Sequence, residues 1–262
     1  MVRLVSFLLL MMLTGAARAQ ASEFHVPPSV YDIPEGHDGR LIELGRKVFS
    51  DTQSYASRYV GNGLNCSNCH LNEGRKPYSA PLWGAYGRYP QYRNKNKRVV
   101  SFGERIQDCF RYSMNGQAPT LDSQEVKAIT AYAHWLSYEV PIGVTLAGAG
   151  FVSVEPVQAP SAARGELVFQ QQCVICHGVD GLGRKRADGM YQFPPLWGAD
   201  SFNRGAGMQR VPTCAAFVKA NMPLGKGFSL SDTQAFDVCE FMHQQGRPRD
   251  PRDSFWSNFF GG

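Results

Sequence analysis

The string Cys-x-x-Cys-His occurs twice, as Cys66-Ser67-Asn68-Cys69-His70 and, 107 residues later, as Cys173-Val174-Ile175-Cys176-His177. In such a string two thiols reach the two vinyl groups of one porphyrin as thioethers, and the adjacent imidazole turns back to ligate the iron. A zinc knuckle or a thioredoxin-like redox pair also uses paired cysteines, but each wants different surroundings, and neither accounts for the full string appearing twice. The spacing predicts two covalently bound haem c groups, with His70 and His177 as proximal iron ligands.

The rest of the chain repeats with the motif. Pro81-Leu82-Trp83-Gly84-Ala85 follows the first string and Pro195-Leu196-Trp197-Gly198-Ala199 the second, an internal duplication. Upstream, Gly45 and Gly165 each precede a Phe by four residues in an apolar-periodic segment. Downstream, helices open near Asp122-Ser123 and Ser231-Asp232, residues suited to capping. Residues 141–162, rich in Pro, Gly, Ala, Ser and Val and almost uncharged, read as a linker. The fold class expected is all-α: two tandem cytochrome c domains, residues 20–140 and 163–262, the second with a C-terminal tail. Strand signals are weak throughout.

Residues 1–19 have the charged, apolar and small-residue regions of a secretory signal peptide, with cleavage expected after Ala19 and a periplasmic destination. The apolar run is too short to span a bilayer. Its loss removes Arg3 and Arg18, leaving 25 Lys and Arg against 22 Asp and Glu, a balance of +3. Haem propionates would offset that, so net charge points to neither nucleic acid nor membrane.

Each iron needs a second ligand from later in its own half. Met222, 45 residues after His177, stands in a Met-Pro loop and is the candidate in the second half. In the first half two candidates stand on one expected helix, Glu104 to Met114: Met114, 44 residues after His70, and Cys109. Composition does not decide between them. Seven cysteines, less the four in the haem strings, leave Cys109, Cys214 and Cys239. In an oxidising compartment an odd number predicts one reactive or ligating thiol; a Cys214–Cys239 disulfide pinning the Met222 loop is the expectation for the other two. Arg105 precedes Cys109 by four residues and shares its helix face, and a guanidinium there can hold an oxyanion in bidentate fashion. The run from Arg93 to Arg98 reads as a solvated loop balancing propionates. His25, His37, His134 and His243 read as packing or surface residues.

Cys66 to Gly87, Arg105-Ile106-Gln107-Asp108-Cys109-Phe110-Arg111-Tyr112-Ser113-Met114-Asn115-Gly116 and the second haem motif with Met222 together resemble the periplasmic dihaem thiosulfate dehydrogenases, over essentially the whole mature chain. The resemblance implies that Cys109 is the distal ligand of the first haem and that Arg105 and Ser113 line the active site. It implies a reaction in which two thiosulfates become tetrathionate, with Cys109 leaving iron to form a sulfur adduct that a second thiosulfate resolves. The electrons pass through both haems to a small soluble electron-transfer protein, and the chain is expected to act as a monomer. The family pattern has Lys before the Met, able to exchange with it on iron, whereas this chain has Asn221. Two readings of other classes remain: a non-enzymatic dihaem electron shuttle, and a sulfur-oxidation cytochrome that attaches thiosulfate to a carrier protein.

Overall fold

The computed structural model describes residues 24–253, so the expected signal peptide and the last residues of the tail lie outside the described residues. Six helices of seven or more residues make the scaffold there: α1 (Gly36–Ser50), α2 (Phe102–Asp108), α3 (Gln124–Leu136), α4 (Ala162–Gln172), α5 (Val211–Asn221) and α6 (Asp232–Gln244). The capping residues behave as their chemistry dictates. Ser101 accepts from the Glu104 amide and Ser231 from the Gln234 amide, each closing a capping box, and Ser123 accepts from Val126. Among the described residues strands are confined to two ribbons, β1 (Gln91–Arg93) with β2 (Arg98–Val100) and β3 (Arg184–Lys185) with β4 (Tyr191–Phe193), both antiparallel. The first pairs Gln91 with Val100 and turns through the Arg93–Arg98 run.

Each half has its own core. In the first, α1 crosses α3, and Val48 and Phe49 meet Ile129, Tyr132 and Leu136, with Trp83 fully buried beside them. In the second, α4 crosses α6, and Val168 and Phe169 meet Ala235, Phe236 and Met242. Fully burying one such side chain contributes about 1.5–3 kcal/mol. The duplicated glycines sit at the two crossings: a Cβ on Gly45 would overlap Ala128 O, and one on Gly165 would overlap Asp237 O. Only glycine allows the backbones this close. Arg164 adds a fork to buried Asp237, at 2.7 and 2.8 Å, where α4 starts.

The 141–162 segment is irregular, yet bound at both ends. Gly148 O and Gly150 O accept from Tyr78 and Ala80 in the first half, and the Ser161 amide donates to Asp237 in the second. It works as a strap rather than a free tether. Cys214 and Cys239 form a disulfide joining α5 to α6, as the odd thiol count suggested.

Candidate active site

The first haem string lies on one wall of a cavity of about 650 Å³, a size suited to a large planar cofactor plus a small ligand. Cys66, Cys69 and His70 line it together with Arg105, Cys109, Ser113 and Met114, and Phe49, Leu82, Ile106 and Ile129 give it apolar sides. The donor set suits a covalently attached haem. His70 Nδ1 lies 2.7 Å from Ala80 O; a carbonyl only accepts, so the proton sits on Nδ1 and the Nε2 lone pair is left for iron. Burial pushes His70 down to about 4, keeping it neutral, and pushes the Cys66 and Cys69 thiols up to about 12 and about 11.

The opposite wall comes from α2 and the turn after it. Sequence periodicity predicts one helix from Glu104 to Met114; instead α2 ends at Asp108 and Cys109–Ser113 form a π-helical turn. The Met114 amide reaches back five residues to Cys109 O at 2.9 Å, a widening that proteins often place at functional positions. Arg105 Nη1 donates to Cys109 Sγ at 2.9 Å, the i, i+4 neighbourhood expected. The adjacent sulfur raises the Arg105 pKa, while burial opposes. Met114, only 2% exposed, lines the same cavity, so the structure brings both candidate ligands to it.

Charge is local here. Arg88, Arg93, Lys95, Arg105, Arg204, Arg210 and Arg252 all line the cavity, with no Asp or Glu among its lining residues. Such a wall favours anions and would balance the propionates of a haem held there. Arg93 and Lys95 belong to the run read as a solvated loop, whereas Lys97 and Arg98 are exposed, Arg98 pairing with Glu104. Arg204, Gln209, Arg210 and Arg252 come from the second half. Sequence reasoning did not foresee them, because no spacing ties residues 204–252 to residue 109.

The second string repeats the first. His177 Nδ1 lies 2.9 Å from Pro194 O, and burial lowers its pKa, again leaving Nε2 for iron. Met222 follows α5 directly, in extended backbone, and packs against the second core. Asn221 is fully buried: its Nδ2 donates to Tyr78 O at 3.1 Å and Phe217 O at 3.0 Å, and its Oδ1 has no partner. The remaining histidines have other roles. His25 lies 3.0 Å from Leu136 O, exposed His37 lies beside Asp38, exposed His134 packs on Tyr86, and His243 lies against Cys239 O.

Comparison with known proteins matches two cytochrome c domains in tandem. Residues 52–142 match the family described as SoxA/TsdA, cytochrome c domain, and residues 162–246 match cytochrome c. The thiosulfate dehydrogenase of Stutzerimonas stutzeri strain A1501 is 51% identical over 238 residues, covering 90% of this chain and 77% of that protein. That of Thiomonas intermedia strain K12 is 48% identical over 239 residues, covering 91% and 76%. The as-isolated thiosulfate dehydrogenase (TsdBA) structure from Marichromatium purpuratum superposes with a TM-score of 0.87 at 39% identity, covering 93% of this chain. The chain spans 55% of that protein's length.

Proposed function

Because this chain belongs to the thiosulfate dehydrogenase family, we propose that it oxidises two thiosulfate ions to tetrathionate in the periplasm and passes two electrons to a small soluble electron-transfer protein. The observation that carries the reading is the Arg105–Cys109 contact at 2.9 Å inside a cavity walled by cations and by the first haem string. Cys66 and Cys69 would tether one haem between His70 and Cys109, and Cys173 and Cys176 the other between His177 and Met222. When bound, the haems supply one-electron acceptors for the two electrons that leave the sulfur chemistry.

In this reading the Arg105 guanidinium holds the sulfonate end of thiosulfate and turns its sulfane sulfur toward Cys109, and Ser113 on the same wall is available to the oxyanion. The Cys109 thiolate and the sulfane sulfur form an S–S bond with release of two electrons, giving a Cys109–S–S–sulfonate adduct. The sulfane sulfur of a second thiosulfate attacks the adduct's outer sulfur, the Cys109 S–S bond breaks, and tetrathionate departs from a restored thiolate. No proton is taken up or released.

Turnover of the purified dihaem protein with thiosulfate and a one-electron acceptor tests this: one tetrathionate should form for every two equivalents of acceptor reduced. A non-enzymatic shuttle would form none. A cytochrome that loads a carrier protein would turn over only when that carrier is added.

A further inference from the structure

The π-helical turn that starts at Cys109 leaves three successive carbonyls without the donors a continued helix would give them. The Gly116 amide, which would reach Tyr112 O, goes to Phe110 O at 2.9 Å, and the Gln117 amide, which would reach Ser113 O, goes to Tyr59 O at 3.1 Å. Buried carbonyls need donors, and here they come from outside the turn. Asn203 Nδ2 donates to Arg111 O at 2.8 Å and to Asn115 Oδ1 at 3.0 Å, and the Asn203 amide donates to Tyr112 O at 3.1 Å. Asn62 Nδ2 donates to Ser113 O at 2.8 Å and to Ser201 O at 3.1 Å.

Asn203 belongs to the second half and is 1% exposed. Its Oδ1 accepts from the Gly205 amide at 3.0 Å, so each polar group of this side chain is engaged. The next contact reinforces the first: a Cβ on Gly205 would press on the Tyr112 ring, and Lys95, in the turn between β1 and β2, donates to Gly205 O while lying over that ring, 3.3 Å from its centroid. The loop around Asn203 is therefore built against the turn that carries the sulfur.

We propose that Asn203, acting with Asn62, is a positioning residue for Cys109: the second domain clamps, across the domain boundary, the π-helical turn from which this sulfur meets Arg105 and the first haem. The second half would thus do more than relay electrons, since it would fix the ligand geometry of the first. The inference rests on the reading of Cys109 as an iron ligand and sulfur nucleophile.

The test uses the full chain with both haems attached. Asn203→Asp keeps the shape but replaces both side-chain donor bonds with acceptors facing acceptors. The ferric spectrum of the first haem should split into two ligation populations, and hydrogen exchange in residues 109–116 should accelerate at least about tenfold while α3 is unchanged. The value of kcat/KM should fall about 10–100-fold, the range for small misplacement of a reacting group. The second haem's spectrum and the covalent haem content should match the unmodified protein. An unchanged first-haem spectrum with kcat/KM within about twofold would overturn the clamp. If the variant does not accumulate, exchange in the unmodified protein decides: residues 109–116 must be as slow as α3, and a hundredfold faster rate overturns the proposal. Cys109→Ala, measured alongside, separates the two claims. An unaltered first-haem spectrum there sinks the ligand reading itself, whereas an altered one with a silent Asn203→Asp sinks only the clamp.

Discussion

Cys109 and Arg105, 2.9 Å apart, are the pair to which the proposed chemistry assigns different parts, and their replacements should fail in different ways. Cys109→Ala should retain both covalently bound haems, because the thioether cysteines are untouched, yet lose tetrathionate formation; residual activity above a few per cent would refute its role. Arg105→Lys keeps the charge but not the planar fork. Charge-assisted hydrogen bonds contribute about 1.5–3 kcal/mol, so kcat/KM should fall about 10–100-fold with the haem spectrum nearly unchanged, and unaltered kinetics would return Arg105 to balancing propionates. At Asn221 the amide is engaged with two carbonyls and offers iron at best a weak oxygen donor. The oxidised protein should therefore show the weak red absorption band of Met-ligated ferric haem, and an amine-type spectrum would show that another group has displaced Met222. A Met ligand raises the second haem's potential, favouring electrons arriving from the first haem. The odd cysteine count singled out Cys109 without deciding between it and Met114, and both line the cavity; the four-residue spacing put Arg105 beside Cys109, a local signal that the 2.9 Å contact matches. Asn203 was not: a buried asparagine has no periodicity, and its partners lie about ninety residues earlier.

At the level of elements, the duplicated helix pairs carry the stability that holds each site. Gly45 and Gly165 mark the points where α1 meets α3 and α4 meets α6, and the groups a new Cβ would strike there are backbone carbonyls that cannot swing aside. Overpacking costs about 1–3 kcal/mol, so Gly45→Ala and Gly165→Ala should each lower the Tm of the domain concerned by roughly 5 °C or more; an unchanged melting curve would contradict the crossing geometry. Helix existence and caps were readable because apolar periodicity and Ser caps are properties of a few neighbouring residues. The change from α2 to a π-helical turn was not, since residues 104–114 keep a helical pattern and the donors that permit the widening come from Asn62 and Asn203. The two ribbons were missed for a simpler reason: strands of two or three residues are too short to show an alternating period.

Across the whole molecule, charge and connectivity act together. A balance of +3 in residues 20–262 conceals a cavity whose cations come from both halves, so under the proposed function substrate preference would follow from local arrangement rather than from net charge. The strap at 141–162 and the Asn203 loop tie the two halves together, which suits the proposed division of labour between an anion-binding first half and an electron-releasing second half. The most direct test of this account is rapid mixing of the fully oxidised protein with thiosulfate, without any added acceptor, while haem absorbance and tetrathionate are followed together. The account predicts reduction of both haems accompanied by one tetrathionate for every two electrons taken up. Oxidised haems that stay oxidised, or haem reduction with no tetrathionate formed, would contradict it.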